Sequence, residues 1–425
     1  MLPRTIATIT PINQPMHGAV TVPGSKSITN RALLTAALSC GTSKLSGALF
    51  SDDTIYMMKA LNEFGVTVQR TGETNIEVVA TGKLHSPSKP LMLGNAGTAM
   101  RFLTAAAALA DGSVVLDGDK HMQKRPIAQL IASLNTLGID ARCETGCPPC
   151  VIKGVGTFPG GKIEVNGTLS SQYISALMMI APMATCPTTI KIMGGEIGAR
   201  GYLDITTSVM KAFGASINWQ DRDIITISNK PYSACNYHIE PDASAATYFW
   251  AAEKLSNGNI AIGTSPAELS QPDAAAYPII QKFPQMPAEI NGDQMQDAIP
   301  TLAVLAAFNN SPVRFTGISN LRVKECDRIY AINEGLNRIN PGLSSVDGDA
   351  LLIHGNPGLI GQTHPCQINS FSDHRIAMSF ALAGLQVGGI QILDPECVAK
   401  TFPEYWTELE KLGAKINFST TVRRP

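Results

Sequence analysis

Basic residues stand at the predicted starts of several helices. Each of these, with the predicted helix that follows or contains it, comes from a different part of the chain: Lys26 (27–38), Arg101 (98–109), Lys324 with Arg328 (325–336) and Arg375 (376–385). A helix N-terminus carries about half a positive charge, so a cation there is unfavourable unless an anion binds beside it. The placement therefore predicts sites for small anionic ligands.

Each basic residue taken alone has a simpler interpretation as a solvated surface charge. Arg328 also has Glu325 three residues before it, and Arg375 has Asp373 two residues before it, so either could form a local ion pair. The same placement recurs in several equivalent segments, and this recurrence favours anion binding over coincidence.

Two other ligand sites are disfavoured by spacing. A nucleotide P-loop needs Gly directly before Lys, whereas Ser25 precedes Lys26. Cys143, Cys147 and Cys150 have spacing that suggests zinc, but no fourth ligand is near and Pro148-Pro149 interrupts them. We expect no metal site.

One unit recurs along the chain: a short apolar run, a polar turn and a helix of small and apolar residues. The turns are marked by Gly24, Gly94, Gly167, Asp242, Gly292 and Asp373, at spacings of 70, 73, 75, 50 and 81 residues. A repeat of about 70 residues therefore occurs six times. The fourth is short, because its helix 276–283 passes through Pro284 directly into the next repeat.

Glycine follows several predicted helices at the position where a helix commonly stops, at Gly65, Gly138, Gly214 and Gly413. Each repeat is then predicted as βαβαββ, and the fold class as α/β. Three repeats per domain give an N-terminal domain over residues 20–238 and a C-terminal domain over residues 1–19 and 239–425. The strand 5–10 would belong to the C-terminal domain.

Composition excludes several functional classes. The 425 residues include 33 Lys and Arg and 34 Asp and Glu, for a net charge of −1, which is unsuited to nucleic acid. The longest apolar stretch, 173–184, is too short to span a membrane. Nine cysteines, an odd number, and no signal-peptide pattern predict a cytoplasmic protein.

Several multi-residue motifs resemble those of the 5-enolpyruvylshikimate-3-phosphate (EPSP) synthase family. In the family's order, they are residues 23–32 (PGSKSITNRA), 93–101 (LGNAGTAMR), 125–127 (RPI), 170–172 (SSQ), 322–328 (RVKECDR), 373–378 (DHRIAM) and 399–403 (AKTFP). The resemblance covers residues 20 to 405. It implies two inside-out α/β barrel domains of three βαβαββ units each, which agrees with the repeats.

The resemblance also implies a reaction, a step of aromatic amino acid biosynthesis in the shikimate pathway. The enolpyruvyl group of phosphoenolpyruvate is transferred to the 5-hydroxyl of shikimate 3-phosphate, and phosphate is released. The reaction passes through a tetrahedral intermediate and uses no metal or organic cofactor. Both substrates are small polyanions, as the placement of the cations requires. We expect a monomer that binds neither nucleic acid nor membrane.

The resemblance assigns site residues by position. Shikimate 3-phosphate would be bound by Lys26, Ser27, Arg31, Ser170, Ser171, Gln172, Tyr202, Asp297, Asn320 and Lys324. Phosphoenolpyruvate would be bound by Lys26, Gly97, Arg125, Gln172, Arg328, Arg375 and Lys400. Asp297 would accept a proton, Glu325 would lie beside the reacting carbon, and Lys26 would complete the catalytic set. Gly97 has a physical reason of its own, because a residue without Cβ lets the backbone approach a ligand.

This sequence departs from the family pattern at two places. Where many members have Ser-Lys-Pro-Tyr, it has Ala199-Arg200-Gly201-Tyr202, so a serine contact is lost and Arg200 is expected to replace it. Phe102 stands where proline is usual, which puts in doubt the fit of inhibitors that mimic phosphoenolpyruvate.

Two competing functions remain at this point. A related enolpyruvyl transferase acts on UDP-N-acetylglucosamine and uses a cysteine in the loop before Arg125, but residues 119–124 contain none. A non-catalytic protein that binds phosphorylated metabolites would not need Asp297 and Glu325, and both are present.

Overall fold

The chain forms two compact units in a computed structural model that describes residues 4–167, 170–194 and 199–421. The N-terminal unit is Gly24–Glu240, and the C-terminal unit is Met1–Pro23 together with Pro241–Pro425. These limits lie a few residues from the predicted 20–238. Each unit has its own hydrophobic core.

The helices are α1 (Lys26–Ala37), α2 (Asp52–Glu63), α3 (Gly97–Ala106), α4 (Ala128–Thr136), α5 (Ser171–Ile180), α6 (Gly201–Ala212), α7 (Ala243–Ser256), α8 (Ala276–Ile280), α9 (Ile299–Ala306), α10 (Arg328–Ile339), α11 (His374–Gly384) and α12 (Tyr405–Lys411). The strands are β1 (Arg4–Thr10), β2 (His17–Ala19), β3 (Cys40–Ser46), β4 (Thr67–Arg70), β5 (Ile76–Thr81), β6 (Leu91–Met92), β7 (Ser113–Asp117), β8 (Asp140–Cys143), β9 (Cys150–Lys153), β10 (Gly161–Asn166), β11 (Thr188–Met193), β12 (Ile217–Trp219), β13 (Ile224–Ile227), β14 (Asn236–His238), β15 (Asn259–Ala261), β16 (Glu289–Asn291), β17 (Val313–Thr316), β18 (Ser344–Asp347), β19 (Ala350–Ile353), β20 (Thr363–Asn369), β21 (Gly388–Leu393) and β22 (Lys415–Thr421).

Five four-stranded sheets share one topology, a parallel pair followed by two antiparallel pairings. In the N-terminal unit the strand orders are β14-β3-β5-β4, β6-β7-β9-β8 and β10-β11-β13-β12; in the C-terminal unit they are β16-β17-β19-β18 and β20-β21-β1-β22. The sixth sheet has two strands, β15 and β2. The repeated α/β fold with a truncated fourth repeat is thus confirmed, although these are separate open sheets.

Helices occupy the interior of each unit, and the sheets surround them. All ten residues of α3 and all eleven of α11 are buried, and α1 and α5 each leave one residue outside the buried class. Strands such as β5 alternate between buried and more exposed positions. Helices that are apolar or small on every side belong inside, whereas alternating strands cover a core on one face.

The N-terminal strand β1 lies inside a sheet of the C-terminal unit. It pairs antiparallel with both neighbours, so that Ile6 stands opposite Leu393 on one side and Ser419 on the other. Ile6, Ala7 and Ile9 are buried. The first residues of the chain therefore contribute a central strand to a sheet whose other strands come from the C-terminal end.

The predicted helix stops are confirmed. Gly65, Gly138, Gly214 and Gly413 follow α2, α4, α6 and α12 with φ between +83° and +98°. In this left-handed region a side chain is strained, so glycine is the residue that ends the helix at least cost.

The predicted helix start at Glu325 is wrong. The helix α10 begins at Arg328, because the Asp327 carboxylate accepts a hydrogen bond from the Tyr330 amide and caps the helix there. Lys324 and Glu325 precede the helix, so Lys324 and Arg328 do not share a helix face. Helix α8 also ends at Ile280, earlier than predicted.

No helix among the described residues combines the length and apolar character needed to cross a membrane.

Candidate active site

In the C-terminal unit, three carboxylates surround one buried guanidinium. Arg328 Nε lies 2.7 Å from Asp373 Oδ2, its Nη1 lies 2.9 Å from Asp297 Oδ1, and its Nη2 lies 2.8 Å from Glu325 Oε2. The Arg328 side chain is 1% exposed. Charge-assisted bonds to three partners fix the plane of the guanidinium, and in turn they fix the two carboxylates predicted to be catalytic.

Three more cations extend this cluster. Arg375 Nη2 donates to Asp297 Oδ2 at 2.8 Å, and Lys324 Nζ lies 3.9 Å from Asp297 Oδ1. Lys400 Nζ lies 3.4 Å from Glu325 Oε1. Four cationic side chains therefore contact three carboxylates in this cluster, which is suited to holding further negative charge.

The arginines of this cluster stay charged. Burial by itself would lower the pKa of Arg328, but Asp373, Glu325 and Asp297 outweigh burial and raise that pKa. Burial also opposes the charge of Arg375, and Asp297 again leads the groups that raise its pKa. Both side chains are cations throughout the physiological pH range.

Helix caps explain why these side chains meet. Asp373 is the N-cap of α11 and accepts a hydrogen bond from the Arg375 amide at 2.9 Å, while its side chain also binds Arg328. One carboxylate thus starts the helix that carries Arg375 and holds the arginine that begins α10. Asp297 lies in the 3-10 turn Gln296–Ala298 directly before α9.

In the N-terminal unit, Lys26 is the first residue of α1. Ser25 caps that helix, since its hydroxyl accepts a hydrogen bond from the Ile28 amide at 3.3 Å. Lys26 is 8% exposed, and its Nζ lies 3.4 Å from Asp53 Oδ2, near the start of α2. A mostly buried ammonium at a helix start is suited to an anion, which would offset both the charge and the helix dipole.

The starts of α3 and α5 lie together in the same unit. Gln172 Nε2 donates to Thr98 Oγ1 at 3.4 Å. A Cβ built on Gly97 would stand 2.7 Å from the Nη1 atoms of both Arg101 and Arg125. The missing side chain is therefore what lets two guanidinium groups lie against the backbone at the start of α3.

Arg31 is buried among neutral partners. Its Nε donates to Thr206 Oγ1 at 2.7 Å, its Nη1 to the Ser27 carbonyl at 2.9 Å, and its Nη2 to Ser175 Oγ at 3.2 Å and the Tyr202 carbonyl at 3.4 Å. Burial lowers the pKa of Arg31 to about 10. The group is still a cation at neutral pH, and its charge is balanced by dipoles and not by a carboxylate.

Comparison with known proteins gives one family along nearly the whole chain. The profile of EPSP synthase (3-phosphoshikimate 1-carboxyvinyltransferase) matches residues 10–409. The chain belongs to the EPSP synthase family. The 3-phosphoshikimate 1-carboxyvinyltransferase of Rhizobium leguminosarum bv. trifolii is 57% identical over 406 residues, 96% of this chain and 97% of that protein.

Further relatives agree with this family. The 3-phosphoshikimate 1-carboxyvinyltransferase of Pseudomonas savastanoi pv. phaseolicola is 53% identical over 416 residues, 98% of this chain and all of that protein. An EPSP synthase structure from Acinetobacter baumannii has a TM-score of 0.79 at 24% identity and covers 98% of this chain and 100% of that one. The enolpyruvyl transferase NikO from Streptomyces tendae has a TM-score of 0.74 at 15% identity, over 99% of this chain and 100% of that one. These two structures support the fold.

The residues that EPSP synthase motifs assigned to substrates fall into two clusters. The C-terminal unit brings together Asp297, Lys324, Glu325, Arg328, Arg375 and Lys400. Asn320 lies in the 3-10 turn Ser319–Val323, and its buried Oδ1 accepts no hydrogen bond from the described residues.

The second cluster lies at the starts of α1, α3 and α5, with Tyr202 nearby. Ser170 caps α5 by accepting from the Gln172 amide at 3.3 Å, and Ser171 is the buried first residue of that helix. Tyr202 contacts Arg31 through its carbonyl and its ring. Arg200, by contrast, stacks on Trp219 with its Cζ 4.4 Å from the ring centre and donates to the Arg222 carbonyl.

Sequence reasoning assigned no role to Asp53 or Asp373, although each contacts a residue assigned to substrate. Asp373 stands inside the EPSP synthase motif Asp373-His374-Arg375, so that motif was a usable signal. Asp53, at the second position of α2, looks in sequence like an ordinary first-turn carboxylate. Its pairing with Lys26 depends on how α1 and α2 pack.

The three spaced cysteines form no metal site. No group of three His, Cys, Asp or Glu within residues 4–167, 170–194 and 199–421 could hold a metal ion. Cys143 and Cys150 face each other across β8 and β9, and the buried Cys150 thiol lies 3.7 Å from the Thr104 hydroxyl.

Proposed function

We propose that this chain transfers the enolpyruvyl group of phosphoenolpyruvate to the 5-hydroxyl of shikimate 3-phosphate and releases phosphate. The observation that carries the proposal is the pair Asp297 and Glu325. Each carboxylate is in contact with cations within one cluster, and that cluster is formed by residues at the positions of the EPSP synthase motifs. A merely structural ion-pair network would not need these particular motif positions.

The chemistry requires proton transfers at two atoms. In the addition step, the 5-hydroxyl oxygen bonds to C2 of phosphoenolpyruvate, C3 gains a proton and the hydroxyl loses one. In the elimination step, C3 loses a proton and the C2–O bond to phosphate breaks. We propose that Asp297 accepts the hydroxyl proton, that Glu325 lies beside the reacting carbon and that Lys26 completes the catalytic set.

The remaining assigned residues hold negative charge. We propose that Arg125, Arg328, Arg375 and Lys400, with Gly97 and Gln172, bind phosphoenolpyruvate. The shikimate 3-phosphate set is the one that the motifs assigned, with Arg31 and Lys26 as its cations in the N-terminal unit. Arg200 is retained in that set as a replacement for the lost serine, although its present contacts are with Trp219 and Arg222.

Phosphate release tests the proposal. The purified chain is mixed with shikimate 3-phosphate and phosphoenolpyruvate, and phosphate is measured over time, with each substrate omitted in turn as a control. We expect release only when both are present. Turnover with UDP-N-acetylglucosamine in place of shikimate 3-phosphate would contradict the proposal, and so would binding of both substrates without any product.

We also propose that the chain acts as a monomer in the cytoplasm. Each of the nine cysteines is a free thiol, as suits a reducing compartment. Light scattering coupled to gel filtration should give one mass near 45.1 kDa, and cell fractionation should recover the protein with cytoplasmic markers.

A further inference from the structure

Phe102 is a buried aromatic residue that faces the Arg31 guanidinium. The Arg31 Cζ lies 5.1 Å from the centre of the Phe102 ring and 5.8 Å from the centre of the Tyr202 ring. Phe102 is fully buried in α3, and Arg31 is 1% exposed in α1. Two helices of the N-terminal unit are therefore joined by a cation–π contact that excludes water, where such contacts are strongest.

The hydrogen bonds of Arg31 leave little freedom within the guanidinium plane. Four bonds use the Nε and Nη2 donors and one donor of Nη1. A guanidinium has five N–H donors, so one N–H on Nη1 is left for a further acceptor. Hydrogen bonds fix the group within its plane, whereas contacts on the ring faces resist tilting of that plane.

We infer that Phe102 is a positioning residue for Arg31 and sets the direction of the N–H that Arg31 offers to shikimate 3-phosphate. This inference rests on the proposed function, because that function assigns Arg31 to shikimate 3-phosphate. The geometry also gives Phe102 a role of its own at a position where the family usually has proline. A proline ring carries no π face for a guanidinium.

The effect should be selective for one substrate. Phe102 follows Arg101 in α3, but its ring faces Arg31, whereas Gly97 of the same helix faces Arg101 and Arg125. Weakening the ring's attraction for the cation should therefore raise KM for shikimate 3-phosphate and leave KM for phosphoenolpyruvate nearly unchanged. A general packing defect would alter both constants.

Fluorinated phenylalanines test this in the full-length chain. Adding fluorine atoms to the ring weakens its attraction for a cation step by step, with little change in ring size. With 4-fluoro-, 3,5-difluoro- and pentafluorophenylalanine at position 102, KM for shikimate 3-phosphate should rise in that order, to about fivefold for the last. We expect kcat and KM for phosphoenolpyruvate to stay within about twofold of the values for the unmodified chain.

Phe213 provides the matched control. It is also fully buried in the N-terminal unit, where its ring packs near Tyr237 at a centroid distance of 6.1 Å. The same substitutions there should leave KM for shikimate 3-phosphate unchanged. The variant Phe102→Leu, which keeps an apolar side chain but no ring, should raise that constant at least as much as pentafluorophenylalanine.

The outcomes separate this inference from the proposed function. If the unmodified chain turns over both substrates but KM for shikimate 3-phosphate is flat across the fluorinated series, the role of Phe102 is overturned and the function stands. A parallel rise in both KM values would also overturn it. If the unmodified chain releases no phosphate, both proposals fail.

Discussion

Asp297 is the carboxylate whose removal best separates catalysis from binding. It accepts from Arg328 Nη1 and Arg375 Nη2 and lies near Lys324, so Asp297→Asn removes one negative charge from among three cations. We expect kcat to fall at least about a hundredfold, the scale of a lost acid–base group. Binding of shikimate 3-phosphate should stay within about tenfold, because the arginines remain. Steady-state kinetics and calorimetric titration give the two quantities.

Asp347→Asn is the control for this substitution. Asp347 also pairs with an arginine in the C-terminal unit, Arg314 at 2.7 Å, but its side chain is 74% exposed. An exposed pair contributes little, so we expect kcat to be unchanged. An Asp297→Asn variant of near-normal kcat would remove Asp297 from the mechanism.

Asp373 holds Arg328 through buried charge, and its loss should reduce stability. The side chain is 0% exposed, and it both caps α11 and binds two donors of Arg328. Asparagine preserves the cap oxygen but not the charge, so Asp373→Asn isolates the ion pair. We expect it to lower the free energy of unfolding by about 2 to 4 kcal/mol, measured by urea titration.

A second N-cap aspartate supplies the comparison. Asp327 caps α10 and pairs with Arg322, but about a third of its side chain is exposed. Asp327→Asn should therefore cost less than about 1 kcal/mol. Equal effects of the two substitutions would show that buried charge at Asp373 is not what stabilises the cluster.

Sequence reasoning identified the charged residues better than it identified their partners. The local pair of Arg328 with Glu325 was a stated alternative, and the two side chains do meet, at 2.8 Å. The other local pair, Arg375 with Asp373, was wrong for the side chain, because the Arg375 guanidinium donates to Asp297, 78 residues away. Contacts within one turn of chain follow from spacing, whereas contacts between repeats depend on how separate helices pack.

At the scale of elements, the start of α3 is built around the absence of a side chain. Any Cβ at position 97 would stand 2.7 Å from Arg125 Nη1 and 2.8 Å from its Cζ, closer than contact distance allows. In Gly97→Ala the Arg125 guanidinium must move. We expect KM for phosphoenolpyruvate to rise at least about tenfold, because misplacement of a binding group by about 1 Å costs much of its effect.

Gly72→Ala is the matched control in the same unit. The nearest atom to its built Cβ is the Asn75 side-chain nitrogen at 3.0 Å, and that exposed side chain can move aside. KM for phosphoenolpyruvate should not change there. An unchanged KM in Gly97→Ala would show that Arg125 does not depend on close approach at this helix start.

Element boundaries were predicted where a local signal decides them. Glycine after α2, α4, α6 and α12 marked the helix ends correctly, because the left-handed conformation needed there is a property of single residues. The start of α10 was misplaced by three residues, since Lys324, Glu325 and Asp327 all stand ahead of an apolar pattern and only the cap bond from Asp327 selects the first turn. A capping bond is a geometric fact that polar sequence spacing leaves open.

At the scale of the whole molecule, the repeat predicted the number of sheets but not which segment completes each one. Strand β14 precedes α7 in sequence, yet it pairs with β3 in the N-terminal unit, and β2 precedes α1 yet pairs with β15 in the C-terminal unit. Every strand pairing lies within one unit. The two crossings of the chain therefore leave Gly24–Glu240 as one continuous segment with complete sheets and its own core.

This arrangement predicts different behaviour for two fragments. Residues 24–240 expressed alone should fold cooperatively, because no strand of that unit is missing. Residues 241–425 alone should not, because that fragment lacks β1, which stands between β21 and β22, and also β2. Its sheet would lose a central strand with the buried side chains Ile6, Ala7 and Ile9. Circular dichroism and urea titration measure the two cases.

Restoring the missing strand distinguishes this explanation from a general weakness of the C-terminal unit. Residues 1–23 are joined after residue 425 by a flexible glycine–serine linker, which is short because Arg4 stands opposite Thr421 in the β1–β22 pairing. We expect this rearranged fragment to regain a cooperative transition. A matched fragment with Ile6→Asp and Ile9→Asp in the transferred strand should stay unfolded, since both side chains enter the core. Cooperative folding of residues 241–425 without any added strand would contradict the argument.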